Sequence, residues 1–184
     1  MNSKKVDEIN LDTIDLNKHK TIISTGTILY RIVPTGADPL KPTSKTSRFA
    51  KQPPGYTFER YQAALENGKA ILVGTGANYF CESLPTAIQE VGGNAEDKDV
   101  YTITLKSDIE IIDMDSICKA EGIGKPYISK ERSEIWHKFY DKKVNGLRYE
   151  SSKNPVDYNI VIFPDWFKEF KNIVVVDKCA QCIA

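Results

Sequence analysis

The chain lacks the features that mark several large classes of protein. Its 184 residues include 25 Lys plus Arg and 25 Asp plus Glu, so the formal net charge is zero. A chain without excess positive charge has no domain-wide footprint for nucleic acid or anionic membranes. No apolar run approaches the length of about 18 residues needed to cross a bilayer, and the polar segment 1–20 does not resemble a signal peptide. We therefore expect a protein that acts in the cytoplasm, with signal-less export as an alternative.

Histidine and cysteine are scarce as well. The two histidines, His19 and His137, have no visible triad partner, and no nucleophile elbow surrounds a serine. Of the four cysteines, Cys179 and Cys182 form a lone CxxC pair without the further ligands of a zinc site. We therefore predict neither a catalytic triad nor a bound metal, and the cysteines fit a reducing compartment.

What the chain does contain is ordinary for one globular domain. Hydrophobic residues make up 41% of it, which is enough for a core without disulfides or metals. Residues 1–20 mix charged and aliphatic side chains, which predicts a polar N-terminal arm that packs loosely on the body or binds a partner. The remaining residues, 21–184, are predicted to form a single folded domain.

Hydrophobic periodicity predicts a mixed architecture. Strands are expected at 27–33, as the first core strand, and at 70–73, 100–105, 109–112, 144–149, 158–163 and 173–176. Helices are expected at 58–67, 84–91 and from Ser129 onward, and the proline-rich stretch 34–55 predicts a long irregular loop. The irregular alternation indicates a mixed α/β (α+β) domain with a partly antiparallel central sheet and flanking helices.

One predicted helix places a carboxylate where it could meet a ligand. Ser83 is a suitable N-cap, and the residues at 84, 87, 88 and 91 form the apolar stripe of an amphipathic helix that ends at two glycines. Glu90 falls at the edge of that stripe, from which it could reach a cleft. Taken alone, a glutamate there is most simply a solvated helix residue.

Four polar residues lie within hydrophobic stretches of the sequence: Arg31, Arg48, Glu90 and Ser151. As a set, their side chains suit a dianionic ligand that contains a ribose. With their flanking motifs they resemble the RES domain family of bacterial toxins. The motifs are Leu29-Tyr30-Arg31-Ile32, Ser47-Arg48-Phe49, the spaced set Tyr79, Ser83, Ala87 and Glu90-Val91, then Gly146-Leu147-Arg148-Tyr149-Glu150-Ser151 and Asn159-Ile160-Val161-Ile162-Phe163. Ser47 and Glu150 replace the glycine and proline that are commoner there, and a longer stretch separates Arg48 from Tyr79.

The resemblance implies a fold similar to ADP-ribosyltransferase toxins and a reaction that destroys NAD by hydrolysis or phosphorolysis. NAD would be the substrate rather than a bound cofactor, and a cognate antitoxin or immunity protein would be the partner. Two alternatives stay open: an ADP-ribosyltransferase that modifies a protein, and a non-catalytic nucleotide-binding module. Self-association into a homo-oligomer is also left open.

Each residue of the set then has an expected role. The nicotinamide leaves NAD as a neutral base, so one carboxylate, Glu90, suffices to stabilise the oxocarbenium-like transition state. Arg31 and Arg48 would hold the pyrophosphate through their guanidinium forks. The remaining candidates contact other parts of the substrate: Tyr79 by stacking on a ring, Ser151 or the neighbouring Ser152 by a hydrogen bond to a ribose hydroxyl or the carboxamide, and Ser83 as a further binding residue.

Overall fold

The structure is a computed structural model that describes residues 9–41, 78–122, 139, 142–163 and 166–179. Within these residues eight strands form one sheet in the order β1-β5-β6-β7-β3-β2-β4-β8. The strands are β1 (Lys20–Ile23), β2 (Ile28–Pro34), β3 (Asn78–Cys81), β4 (Lys98–Leu105), β5 (Ile109–Asp113), β6 (Gly146–Glu150), β7 (Tyr158–Ile162) and β8 (Val174–Lys178). Three helices accompany them, α1 (Leu84–Glu90), α2 (Met114–Ala120) and α3 (Phe167–Asn172).

The sheet is mixed in direction. β5 and β6 are parallel, and the other neighbouring strands are antiparallel. Neighbouring strands joined by short connections pair antiparallel, whereas the parallel pair needs a long crossover, here residues 114–145. The predicted fold class, a mixed α/β domain with a partly antiparallel sheet, is confirmed.

Strand alternation gives the sheet two buried faces. On one face Leu147 and Val161 pack with Met114 of α2, while on the other Ile160 packs with Phe170 of α3. Because successive side chains of a strand point to opposite faces, Tyr149, Asn159 and Cys81 share the face of Leu147. We call this the cavity face. The helices thus flank the sheet on both sides, as expected from the sequence.

Helix α1 covers the part of the cavity face that lies over β2 and β3. Ala87 is buried there with Ile32 and Cys81. The Ser83 side chain accepts a hydrogen bond from the Thr86 amide at 3.3 Å, as predicted for an N-cap. The helix ends before two glycines with φ of 96° and 81°, a left-handed backbone that glycine adopts without strain. α1 therefore begins and ends close to the predicted positions.

Several elements were missed or misjudged. β1 precedes the strand predicted to be first; it is an edge strand of four residues whose Ile22 is 60% exposed, so it lacks a clear apolar alternation. Helices α2 and α3 were not predicted because they span only seven and six residues. In the described part of the N-terminal segment, Ile9 and Leu11 are buried in the core.

Some predictions fall on residues that the structure does not describe. These are the helix at 58–67, the strand at 70–73, most of the loop at 34–55 and the start of the helix from Ser129. Phe139, which falls within the helix predicted from Ser129 onward, is described and buried. Cys179 is disulfide-bonded, whereas Cys81 and Cys118 are buried and belong to no disulfide. None of the described helices has the length and hydrophobicity needed to cross a membrane.

Candidate active site

A cavity of about 290 Å³ opens on the cavity face of the sheet, beneath the C-terminal end of α1. Residues of four strands and of α1 form its wall. They are Tyr30, Arg31, Ile32, Tyr79, Cys81, Ala87, Glu90, Val91, Tyr149 and Asn159. A concave site that combines aromatic side chains with a few polar groups is the usual form of a small-molecule site.

The cavity lies where β2 and β3 separate. These two strands pair at a single position, Tyr30 with Cys81, whereas β2 pairs with β4 along its whole length, from Ile28 to Pro34. Beyond the Tyr30–Cys81 pair the two strands leave a gap in the sheet. Side chains from both strands border this gap and line the cavity.

Glu90 projects from the last turn of α1 into the cavity wall. Its Oε1 accepts a hydrogen bond of 2.6 Å from the Ser151 hydroxyl and one of 2.7 Å from Nδ2 of Asn159. Among the described residues, both hydrogen bonds of this carboxylate fall on Oε1, so Oε2 is left for a ligand. Two donors on one oxygen fix the orientation of the carboxylate.

Ser151 lies directly behind Glu90 and has no solvent-exposed surface. Its hydroxyl oxygen accepts hydrogen bonds from the Lys153 and Asn154 amides at 3.1 and 3.2 Å, so its one proton goes to Glu90. Ser151 does not line the cavity. The structure brings it together with Glu90, whose carboxylate it orients; its expected hydrogen bond to the substrate stays a prediction.

Arg31 is 5% exposed and is held by two neutral acceptors. Nη1 donates to Oδ1 of Asn78 and Nη2 to the carbonyl of Lys41, both at 2.7 Å, and the guanidinium carbon lies 5.3 Å from the centroid of the Phe80 ring. Burial lowers its pKa to about 10, although Asp38 and Tyr79 act in the opposite direction, so the group stays charged at neutral pH. No carboxylate among the described residues forms an ion pair with it.

Because side chains alternate along a strand, Arg31 and Glu90 lie on opposite faces of the sheet. The Arg31 side chain lies on the face of Asn78 and Phe80, opposite to Cys81. No hydrogen bond joins Arg31 to Glu90, and the two share only the wall of the cavity. Asn78 is fully buried, and its Nδ2 has no hydrogen-bond partner among the described residues. Arg31 thus contributes a charged residue to the cavity wall next to β2, and the buried amide of Asn78 adjoins its guanidinium outside that wall.

The other candidates differ in position. Tyr79 is half-buried and lines the cavity. Ser83 is outside the cavity wall, and its hydroxyl serves the N-cap of α1. Ser152 is exposed, in contrast to the buried Ser151. Arg48 lies outside the described residues, so its role stays a prediction.

Cys81 lines the cavity but is not a nucleophile at neutral pH. Burial raises the pKa of its thiol to about 12, and the charges of Glu90 and Asp157 add to the effect. The thiol donates to Oδ1 of Asn159 at 3.2 Å. A cysteine becomes reactive when its environment stabilises the thiolate, and this environment does the reverse. Covalent catalysis by Cys81 is therefore disfavoured.

Seven of the ten wall residues were not predicted as site residues, and three of these carry aromatic or amide groups that could contact a ligand: Tyr30, Tyr149 and Asn159. Asn159 pairs with both Tyr149 and Cys81 across neighbouring strands, so all three project from the same face. A polar residue at the second position of an otherwise apolar strand was the available signal in the sequence. Its meaning depended on the strand register, which the sequence does not specify. No group of acidic, histidine or cysteine side chains suited to a metal occurs in the described residues.

Comparison with known proteins finds a solved structure with a similar fold. No protein-family model matches the chain, and no curated protein matches its sequence. Among solved structures it is similar to the crystal structure of the M. tuberculosis MbcT-MbcA toxin-antitoxin complex, with a TM-score of 0.55 and 11% sequence identity. The match covers 89% of this chain and 89% of the other. At this identity the two chains share a fold, and the similarity alone assigns no activity.

Proposed function

We propose that this protein is the toxin of a toxin–antitoxin pair and cleaves the bond between nicotinamide and ribose in NAD. The observation that carries the proposal is the carboxylate of Glu90 in the cavity wall, oriented by Ser151 and Asn159 on one oxygen. The fold similarity to a chain of a toxin-antitoxin complex supports the biological role. The motifs that resemble the RES domain, described above, support the substrate.

Cleavage of this bond requires few protein groups besides the carboxylate of Glu90. When the bond from C1′ to the pyridinium nitrogen breaks, its electron pair neutralises the cationic ring, and nicotinamide leaves without a general acid. The positive charge that develops on the ribose is stabilised by Oε2 of Glu90 through electrostatic preorganisation. Water or inorganic phosphate then forms a bond to C1′ through oxygen, and the proton it loses is accepted by Glu90 or by solvent. Depletion of NAD follows from either acceptor.

The rest of the cavity suits the remaining parts of NAD. Tyr30, Tyr79 and Tyr149 supply aromatic surface in the wall, and a cationic ring is attracted to aromatic faces. Arg31, charged and without a carboxylate partner among the described residues, supplies the positive charge for the phosphates. Glu90 and Arg31 both contribute to the wall of the cavity, although the Arg31 side chain lies on the other face of the sheet.

The product assay tests the activity. Purified protein is incubated with NAD in buffer with and without inorganic phosphate, and the products are identified by mass spectrometry. We expect nicotinamide with ADP-ribose if water is the acceptor, and nicotinamide with a phosphate ester of ADP-ribose if phosphate is. Biotin-labelled NAD in a lysate would instead mark protein bands if the group is transferred to protein. Tight NAD binding without nicotinamide release in either buffer contradicts the proposal.

The proposed biological role predicts a neutralising partner. A protein that destroys NAD must be held inactive in its own cell, so we propose a cognate antitoxin that covers the cavity. Expression of the chain alone should arrest growth and lower cellular NAD, and co-expression of the antitoxin should restore both. Growth arrest that persists after Glu90→Gln would show toxicity unrelated to this site.

A further inference from the structure

The loop between β6 and β7, residues 151–157, is joined to the first turn of α1 by a chain of side-chain hydrogen bonds. Thr86, which is fully buried, donates from Oγ1 to Oδ2 of Asp157 at 2.6 Å. The same Oγ1 accepts a hydrogen bond of 2.8 Å from Nδ2 of Asn154. The Ser83 hydroxyl lies 3.1 Å from Oγ1, and its single proton is shared between Thr86 and Asp157. Thr86 therefore uses its proton and a lone pair to join the helix to the C-terminal end and to the middle of the loop.

The charge on Asp157 determines which groups donate and which accept in this series of hydrogen bonds. Burial by itself would raise the pKa of Asp157, but hydrogen bonds from Ser83, Thr86 and the Tyr158 amide outweigh it, and the net pKa lies below the usual range. An ionised carboxylate only accepts hydrogen bonds. Thr86 must therefore donate to Asp157, which leaves its oxygen free to accept from Asn154.

The same loop encloses the Ser151 hydroxyl. The amides of Lys153 and Asn154 donate to its oxygen, and the Ser151 amide donates to the carbonyl of Asp157 at 2.8 Å. With its acceptor sites occupied, the hydroxyl has one remaining option, to donate to Glu90. The chain of contacts thus runs from Asp157 through Thr86, Asn154 and Ser151 to the carboxylate in the cavity.

We propose that Asp157, acting through Thr86 and Asn154, is a positioning residue that holds the Ser151 loop on α1 and so keeps the Ser151 hydroxyl against Glu90. This inference rests on the proposed function for its effect on catalysis, and on the contacts alone for its effect on the loop. Helix capping does not account for the arrangement. The cap requires the bond from the Thr86 amide to Ser83, whereas the Thr86 hydroxyl is directed to the loop.

The kinetic test removes the Thr86 hydroxyl and keeps the shape of the side chain. For Thr86→Val we expect kcat for nicotinamide release to fall by about tenfold or more, with KM within about twofold, because a misplaced carboxylate weakens the transition state rather than substrate binding. Thr86→Ser restores the hydroxyl and should recover kcat to within about threefold of wild type. Thr35→Val is the matched control; it removes a hydroxyl that donates to the Asp97 carbonyl, outside the site. It should leave both constants unchanged.

The second test does not depend on activity. Hydrogen–deuterium exchange of the peptide that contains residues 151–157 should accelerate about tenfold or more in Thr86→Val and not in Thr35→Val, because the loop loses its connection to α1. Exchange of a peptide from β4 and β5 should stay the same, which shows that the variant is folded.

Two results would overturn the positioning role: unchanged loop exchange in Thr86→Val, or faster exchange with kcat unchanged. Equal loss of kcat in Thr86→Val and Thr86→Ser would also contradict it, since the hydroxyl would then not be the cause. If the wild type releases no nicotinamide, the proposed function fails, and the exchange result still decides whether the network orders the loop.

Discussion

Ser151 donates a hydrogen bond of 2.6 Å to Oε1 of Glu90, although the two residues are 61 positions apart in the sequence. A buried hydroxyl on the β6–β7 loop therefore orients a carboxylate at the end of α1. Hydrogen bonds to a charged group are stronger than neutral ones, at about 1.5–3 kcal/mol each. The contact brings together a serine and a glutamate from distant motifs.

This contact predicts different results for two neighbouring serines. Ser151→Ala removes a donor from Glu90, and we expect kcat for nicotinamide release to fall by about 10- to 100-fold, as expected for loss of one charge-assisted hydrogen bond. Ser152→Ala changes an exposed side chain and should alter kcat by less than about twofold. Steady-state kinetics of the two variants measures the difference. A larger loss in Ser152→Ala would show that Ser152 is the functional serine.

Two arginines should respond differently to the same substitution. Arg31→Gln removes a buried charge that has no ion-pair partner in the described residues, and we expect KM for NAD to rise by about tenfold or more while the melting temperature changes little. Arg148 forms a bidentate ion pair with Glu82 at 2.6 and 2.9 Å. Arg148→Gln leaves the half-buried Glu82 without its partner, so it should lower the melting temperature and leave KM unchanged.

Kinetics and thermal unfolding of both variants decide this. A fall in stability without a change of KM in Arg31→Gln would show that Arg31 has a structural role alone.

The pKa of Cys81, raised to about 12, predicts how its thiol responds to pH. A raised thiol pKa keeps the group protonated, and at pH 8 the thiolate fraction is about 10⁻⁴. Alkylation of native Cys81 by iodoacetamide should therefore be slow at neutral pH and increase about tenfold per pH unit from pH 7 to 10 without a plateau. Mass spectrometry of the Cys81 peptide measures the rate, with denatured protein as the control. A plateau near pH 9 would contradict the raised pKa.

Gly146 has no room for a side chain at the start of β6. A Cβ there would lie 2.1 Å from the backbone carbonyl oxygen of Val161 on the paired strand. Gly146→Ala should therefore disturb the β6–β7 pairing and lower the free energy of unfolding by more than about 3 kcal/mol. Gly36→Ala is the comparison, since φ there is 79° but the space is open; it should cost about 1–2 kcal/mol. A loss for Gly146→Ala no larger than for Gly36→Ala in denaturant titrations would show that the paired strands adjust to the added methyl group.

The elements that the sequence predicted well are those with a strong local pattern. The stripe and caps of α1 specify its ends within a residue or two, and β2, β4, β5, β6 and β7 lie close to the predicted strands. β1 and the helices α2 and α3 are short, and their stability comes from packing against the rest of the fold. Ile117 of α2 and Phe170 of α3 are fully buried, and this burial cannot be read from six or seven residues of sequence.

In the candidate site, too, some residues could be predicted from the sequence and others could not. The resemblance to a known family pointed to Glu90 and Ser151, and the structure joins them directly. Asn159 escaped notice because its importance depends on the register of β7 with β3 and β6. The orientation of Arg31 depends on the register of β2, which sets its side chain on the face opposite to the carboxylate.

The role of Glu90 is tested most directly by the rate of nicotinamide release from NAD by wild type and by Glu90→Gln, measured at the same protein concentration after circular dichroism shows that both are folded. The amide keeps the shape of the side chain and removes its charge. We predict release by wild type and a rate at least about 10³-fold lower for the variant, because the charge stabilises the transition state. Equal rates for the two proteins, or no release by wild type, would contradict the account.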